Sequence, residues 1–175
     1  MNIYLPVSLG EAIDKYSILI LKSENLTGLR QVEVNLEISI LEKELDKYLI
    51  KFNDLYLKLK HVNYIIWKQM DALRDDDSIS NNTFGFLAYQ CTLSNDVRFR
   101  IKNKINLLSN SLIKEQKAYF IKTLKLTFTE VDRSEVFKEL IYELSFIYDA
   151  IMIEVKDPMP YKKTFKNDPT ILINK

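Results

Sequence analysis

The chain has 175 residues, 47% of them hydrophobic, with 25 basic and 24 acidic side chains and a net charge of +1. That length and apolar content fit one compact domain with a tail and exclude wholesale disorder. The near-zero net charge excludes a one-sign field that would recruit nucleic acid or an anionic membrane from a distance.

Three glycines and four prolines leave few turn signals, so the elements are expected to be long helices. The only cysteine, Cys91, excludes an intrachain disulfide and points to a reducing, cytoplasmic setting. The first residues, MNIYLPVSLGEA, have neither a basic stretch nor a long apolar run, so no secretory signal is expected. No run of about 18 apolar residues occurs, so no membrane span is expected.

In chain order, residues 2–7 read as an extended arm. Ser8-Leu9-Gly10-Glu11 is a capping-box pattern that starts a helix at Ser8. This helix runs to about Asn25, with Gly28 as its stop signal. Residues 30–51 read as a second helix through Val34, Ile38, Leu41, Leu45 and Leu49. Asn53-Asp54 marks a cap or kink, and residues 54–75 read as a third helix. A polar loop from Arg74 to Asn82 precedes a fourth helix over about 83–112. Ala118 to Val131 reads as helix followed by an extended piece. A fifth helix is expected over 134–155, ended by Asp157-Pro158-Met159-Pro160.

The expected fold is therefore all-α, an antiparallel helical bundle. Residues 1–120 form the bundle, 121–157 an additional helical segment packed on it, and 158–175 an extended tail.

Three polar stripes stand out. In the fourth helix Asn95, Arg98, Lys102 and Asn106 are spaced three, four and four apart. At about 100° per residue they border the apolar arc of Leu93, Val97, Ile101, Ile105 and Leu108. Arg100 and Lys104 lie on another side, expected in solvent. The first helix carries Glu11, Asp14, Lys15 and Lys22 on one arc, beside Ile18 and Leu21. The third carries Asn63, Trp67, Asp71 and Arg74, and Trp67 is the only tryptophan. An aromatic wall beside an arginine suits a sugar or nucleoside bearing an anionic group. The plainer reading pairs Glu11 with Lys15 and Asp71 with Arg74 on solvated helix faces.

Conventional catalytic patterns are missing. His61 is the only histidine, which disfavours a His-based metal site or a Ser-His-Asp triad. No Walker-A or GxGxxG pattern occurs. No cofactor is expected, and Asp75-Asp76-Asp77 reads as a solvated loop rather than a metal site.

The motifs carry a resemblance. Val7-Ser8-x-Gly10-Glu11-x-Ile13-Asp14-Lys15-x-x-Ile18-Leu19 resembles the opening signature of DUF6165, a small bacterial and phage family of unknown function. The resemblance continues at Val62-Asn63-x-x-Ile66-Trp67 with Asp71 and Arg74. It returns at Asn95-Asp96-x-Arg98-x-x-x-Lys102-x-x-Ile105-Asn106 and at Glu115-x-Lys117-x-Tyr119. It spans about residues 3–120. Met70 stands where the family pattern has a Glu, and Gln31 and Asn35 stand where it has Asn and Glu. The resemblance brings no activity, but it implies that the three stripes belong to one set.

The stripes are therefore expected to converge on one polar cleft that binds a small anionic ligand bearing phosphate, carboxylate or sugar. Arg74, Arg98 and Lys102 would hold the anion, Trp67 would pack on it, and Asn95 and Asn106 would orient it. Glu11 or Asp14 would act as base if the protein is an enzyme. The alternative is a non-enzymatic structural or assembly protein in which the same residues form an ion-pair network. The expected partners are this ligand and a second copy of the chain in a homo-oligomer, with no nucleic acid and no membrane.

Overall fold

The computed structural model describes residues 5–74, 80–116, 121–129 and 133–174. The Asp75-Asp76-Asp77 run, Lys117, Tyr119 and Asp132 lie outside the described residues. The chain is mostly helical, with four long helices followed by a small mixed unit. Helix α1 spans Leu9–Asn25, α2 Leu29–Lys51, α3 Asn53–Arg74 and α4 Asn81–Leu108.

The start of α1 follows the capping pattern. Ser8 is its N-cap, and its hydroxyl accepts from the Glu11 amide at 3.2 Å. Gly28 does not close α1. With φ at +65° it is the N-cap of α2, a left-handed conformation that a side chain would strain. Only Phe52 separates α2 from α3.

One core is shared by these helices. Ile13, Tyr16, Leu45, Leu55, Leu59, Val62, Ile101 and Ile105 are buried in it. Contacts fix the helix directions. Ser23 meets Asn35 and Tyr16 meets Glu42, so α1 and α2 run in opposite senses. Asp14 meets Arg98 and Gly10 meets Asn106, so α1 and α4 do the same.

The all-α expectation fails after residue 120. Strands β1 (Thr123–Phe128), β2 (Ala150–Val155) and β3 (Ile171–Asn174) form a parallel sheet in the order β1-β2-β3. Register pairs Thr123 with Ala150 and Ile151 with Ile171. Parallel neighbours need crossovers, and two short helices lie in them, α5 (Lys138–Leu144) and α6 (Pro158–Thr164).

The expected helix over 134–155 thus shrinks to α5 and gives way to a strand. Its second half alternates, with Ile151, Ile153 and Val155 buried and their neighbours partly exposed. Two-residue alternation of β-branched side chains satisfies a sheet better than a helix face. The extended tail is also corrected. Asp157 accepts from the Met159 amide at 3.1 Å and caps α6, with Pro158 at its first position. The run Asp157-Pro158-Met159-Pro160, expected to stop a helix, starts one.

The sheet and its two helices have their own core of Ile141, Ile151, Ile153, Val155, Tyr161, Phe165 and Ile171. Phe146 leaves that unit and is buried in the core of the long helices. No helix among the described residues is long and apolar enough to cross a membrane.

Candidate functional site

Gly10 sets the approach of α1 to α4. A Cβ at this position would stand 2.5 Å from the Lys102 carbonyl oxygen, closer than any real contact. The Gly10 amide, one of the first-turn donors that a helix leaves unpaired, donates to Asn106 Oδ1 at 2.7 Å. Asn106 is itself buried. It therefore clips two helices together, its side-chain oxygen taken up by the Gly10 amide.

One turn further along, Asp14 is only 2% exposed. Its carboxylate accepts from Arg98 Nε at 2.9 Å and from Arg98 Nη2 at 2.5 Å. Asn63 Nδ2 donates to Asp14 Oδ1 and to Ser17 Oγ, both at 2.8 Å. One residue from each of α1, α3 and α4 thus meets at a single buried carboxylate. Burial works against the Arg98 charge, but the hydrogen bonds and negative charge of Asp14 outweigh it. The guanidinium holds its proton more tightly than usual. Among the described residues Arg98 Nη1 has no hydrogen-bond partner.

A second ion pair stacks beside the first. Lys102 Nζ donates to Glu11 and forms an ion pair, at 2.7 Å, with Glu115 in the segment after α4. Burial opposes its charge too, and the bonds to Glu11 and Glu115 more than compensate, so its pKa is raised.

Against this polar wall lies a groove of about 290 Å³ between α1, α3 and α4. Its polar and aromatic lining is Lys22, Asn63, Trp67, Asp71, Arg74 and Arg98, over an apolar floor of Ile18, Leu21, Ile66 and Met70. Six of the twelve expected site residues line it, drawn from all three stripes. Asp14 stands behind Arg98, and Glu11 and Lys102 form the neighbouring pair. Trp67 is half-buried. Asp71 and Arg74 lie 4.0 Å apart on an exposed face, pairing with each other rather than with Arg98.

Two further expected residues fall elsewhere. Lys15 turns to α2 and pairs with Glu37 at 2.6 Å, not with Glu11. Asn95 donates to the Cys91 carbonyl at 2.9 Å and is spent on its own helix.

Arg100 and Lys104 are not in solvent. Arg100 is buried and donates to Asp149 at 2.8 Å, and Asp149 also accepts from the Lys122 amide at the head of β1. Lys104 is 1% exposed. Its ammonium bonds to Ser145 Oγ and, at 2.8 Å, to Asp168. It lies 4.4 Å from the Phe146 ring centroid and 4.8 Å from that of Tyr142. Burial lowers its pKa further than Asp168 restores it. These two cations dock the long helices onto the sheet unit. A cavity of about 430 Å³ adjoins Lys104, Tyr142 and Asp168, but the ammonium there is already satisfied by protein groups.

The pairing of Arg100 and Lys104 was hidden because their carboxylates come from residues 149 and 168, in a region whose elements were misassigned. Ser17 was also missed. Its position one turn after Asp14 was the available signal.

No family model, curated protein or solved structure matches the chain.

Proposed function

We propose that the groove between α1, α3 and α4 binds a small organic anion, with an apolar or sugar body against Trp67 and a phosphate or carboxylate beside Arg98, Arg74 and Lys22. In this proposal helices α1 to α4 form an antiparallel bundle that carries the groove. One observation carries the proposal: stripes from three separate helices supply six residues to one groove. Its volume of about 290 Å³ lies just under the ~300–1,000 Å³ usual for small-molecule sites.

The charge balance supports an anion. Asp14 offsets Arg98 and Asp71 offsets Arg74, while Lys22 makes no ion pair among the described residues. Asp14 also fixes the Arg98 plane, so little side-chain entropy is lost on binding. The DUF6165 resemblance enters at the same place, since its segments supply Asp14, Asn63, Trp67, Arg74 and Arg98. A reducing, cytoplasmic setting, argued from the single Cys91, belongs to the same reading.

A second reading has its own observation. Arg98 and Lys102 are already paired with Asp14, Glu11 and Glu115, as in a purely structural network. Thermal-shift screening separates the two. A ligand present at about a hundred times its Kd adds roughly 2.7 kcal/mol of stability. Anion binding predicts such a shift for phosphate- or carboxylate-bearing compounds in the wild type and its loss in Lys22→Gln/Arg74→Gln. A structural network predicts no shift in either.

A further inference from the structure

Helix α2 is apolar on two sides. One side, through Ile38, Leu41 and Leu45, meets the core. The other carries Leu29, Val32, Leu36 and Ile40, which span an arc of about 80° at helical spacing. All four are exposed, Leu29 at 83% and Leu36 at 64%. Scattered exposed aliphatics need no explanation, but a continuous stripe marks an interaction surface. The face continues past Ile40 with Lys43 and Lys47, and Glu33 flanks its first half. Neither Glu33 nor Lys43 forms an ion pair among the described residues.

We propose that this face binds the α2 face of a second copy of the chain in antiparallel register, about a two-fold axis midway between Leu36 and Ile40. That axis sets Leu36 against Ile40 of the second copy, and Glu33 against its Lys43. It also lays the Lys47 stem over Leu29 of the second copy, covering the most exposed leucine of the stripe with methylenes. The contact is isologous, so each pairing occurs twice. A parallel register would oppose Glu33 to Glu33 and Lys43 to Lys43, and like charges face to face select against it. The charge pattern thus chooses both the partner and its direction. This inference is independent of what occupies the groove.

Sedimentation equilibrium of the full chain tests it. The expected mass is twice the 20.6 kDa of one chain. Leu36→Glu, at an exposed position, gives the monomer mass with an unchanged circular dichroism spectrum. Lys43→Glu and Glu33→Lys each weaken association roughly tenfold by opposing like charges. The Glu33→Lys/Lys43→Glu double variant restores it. A wild type that stays monomeric at every concentration leaves the stripe to a foreign partner and overturns the proposal. So does a dimer that survives Leu36→Glu, or a double variant as weak as the single ones.

Discussion

Arg98 grips Asp14 through Nε and Nη2, at 2.9 and 2.5 Å, with the carboxylate buried and the guanidinium side chain 26% exposed. The two partners are thus unequal. Asp14 depends on Arg98 for its charge compensation, whereas Arg98 also reaches the groove. Replacing Arg98 with Met leaves a buried carboxylate with Asn63 as its remaining side-chain donor. The expected cost is roughly 3–5 kcal/mol, read from urea unfolding. In Asp14→Asn/Arg98→Met the loss should be smaller than the sum of the two single losses. Additive losses would mean that the two groups do not act as a pair.

Gly10 tests the helix approach without touching a charge. Ala at this position must push its methyl against the Lys102 carbonyl oxygen and the Asn106 side chain. Overpacking of this kind costs about 1–3 kcal/mol. Gly85, also helical, has open space around it, so Gly85→Ala should stabilise by up to about 1 kcal/mol. Equal effects at the two glycines would contradict the close approach.

Lys104 and Asp168 should respond asymmetrically. Asp168 is partly exposed and also accepts from the Thr170 amide and hydroxyl, so Lys104→Met leaves it with partners. Asp168→Asn instead leaves a buried ammonium with Ser145 and two ring faces but without its carboxylate counter-charge. The Asn variant should be the less stable of the two by about 1–3 kcal/mol. The reverse order in chemical denaturation would show that the cation is better solvated than its burial implies.

Tyr16 sets a pH dependence. Burial pushes its hydroxyl up to about 12, helped by its bond to Glu42. A folded pKa above the unfolded value of 10.0 contributes stability that is fully present below pH 10. That stability is lost as pH rises toward 12, where the unfolded chain holds fewer protons. Tyr16→Phe removes the titration. Between pH 10 and 12 its stability should fall less steeply than that of the wild type. Parallel pH profiles would place the alkaline transition elsewhere.

The long helices were legible because their signals are local. Ser8 and Glu11 mark a helix start, and the apolar spacing of Ile38, Leu41 and Leu45 marks a core face. The residues of the groove were legible as stripes, since helix geometry alone places Asn63, Trp67, Asp71 and Arg74 on one side. Which stripe residues meet was not legible. Lys15 and Asn95 share their stripes' angles, yet one turns to α2 and the other to its own backbone. The C-terminal third was misread for a physical reason. Ile147, Tyr148 and Ile151 satisfy a helical period as well as Ile151, Ile153 and Val155 satisfy an alternating one. Pairing with β1 and β3, distant in sequence, decides between them. Arg100 and Lys104 followed the same error, because their acidic partners lie in that unit.

The central claim is that the α1–α3–α4 groove takes an organic anion, and Trp67 reports on it directly because it is the only tryptophan and lines the groove. Titration of the full chain with an aromatic carboxylate and an aromatic phosphate, followed by tryptophan fluorescence, is the most direct measurement. The account predicts a saturable change in the wild type. It also predicts binding at least roughly tenfold weaker in Lys22→Gln/Arg74→Gln, the scale of lost charge contacts, with an unchanged unfolding midpoint. No saturable change with either probe, or equal binding by the double variant, would contradict it.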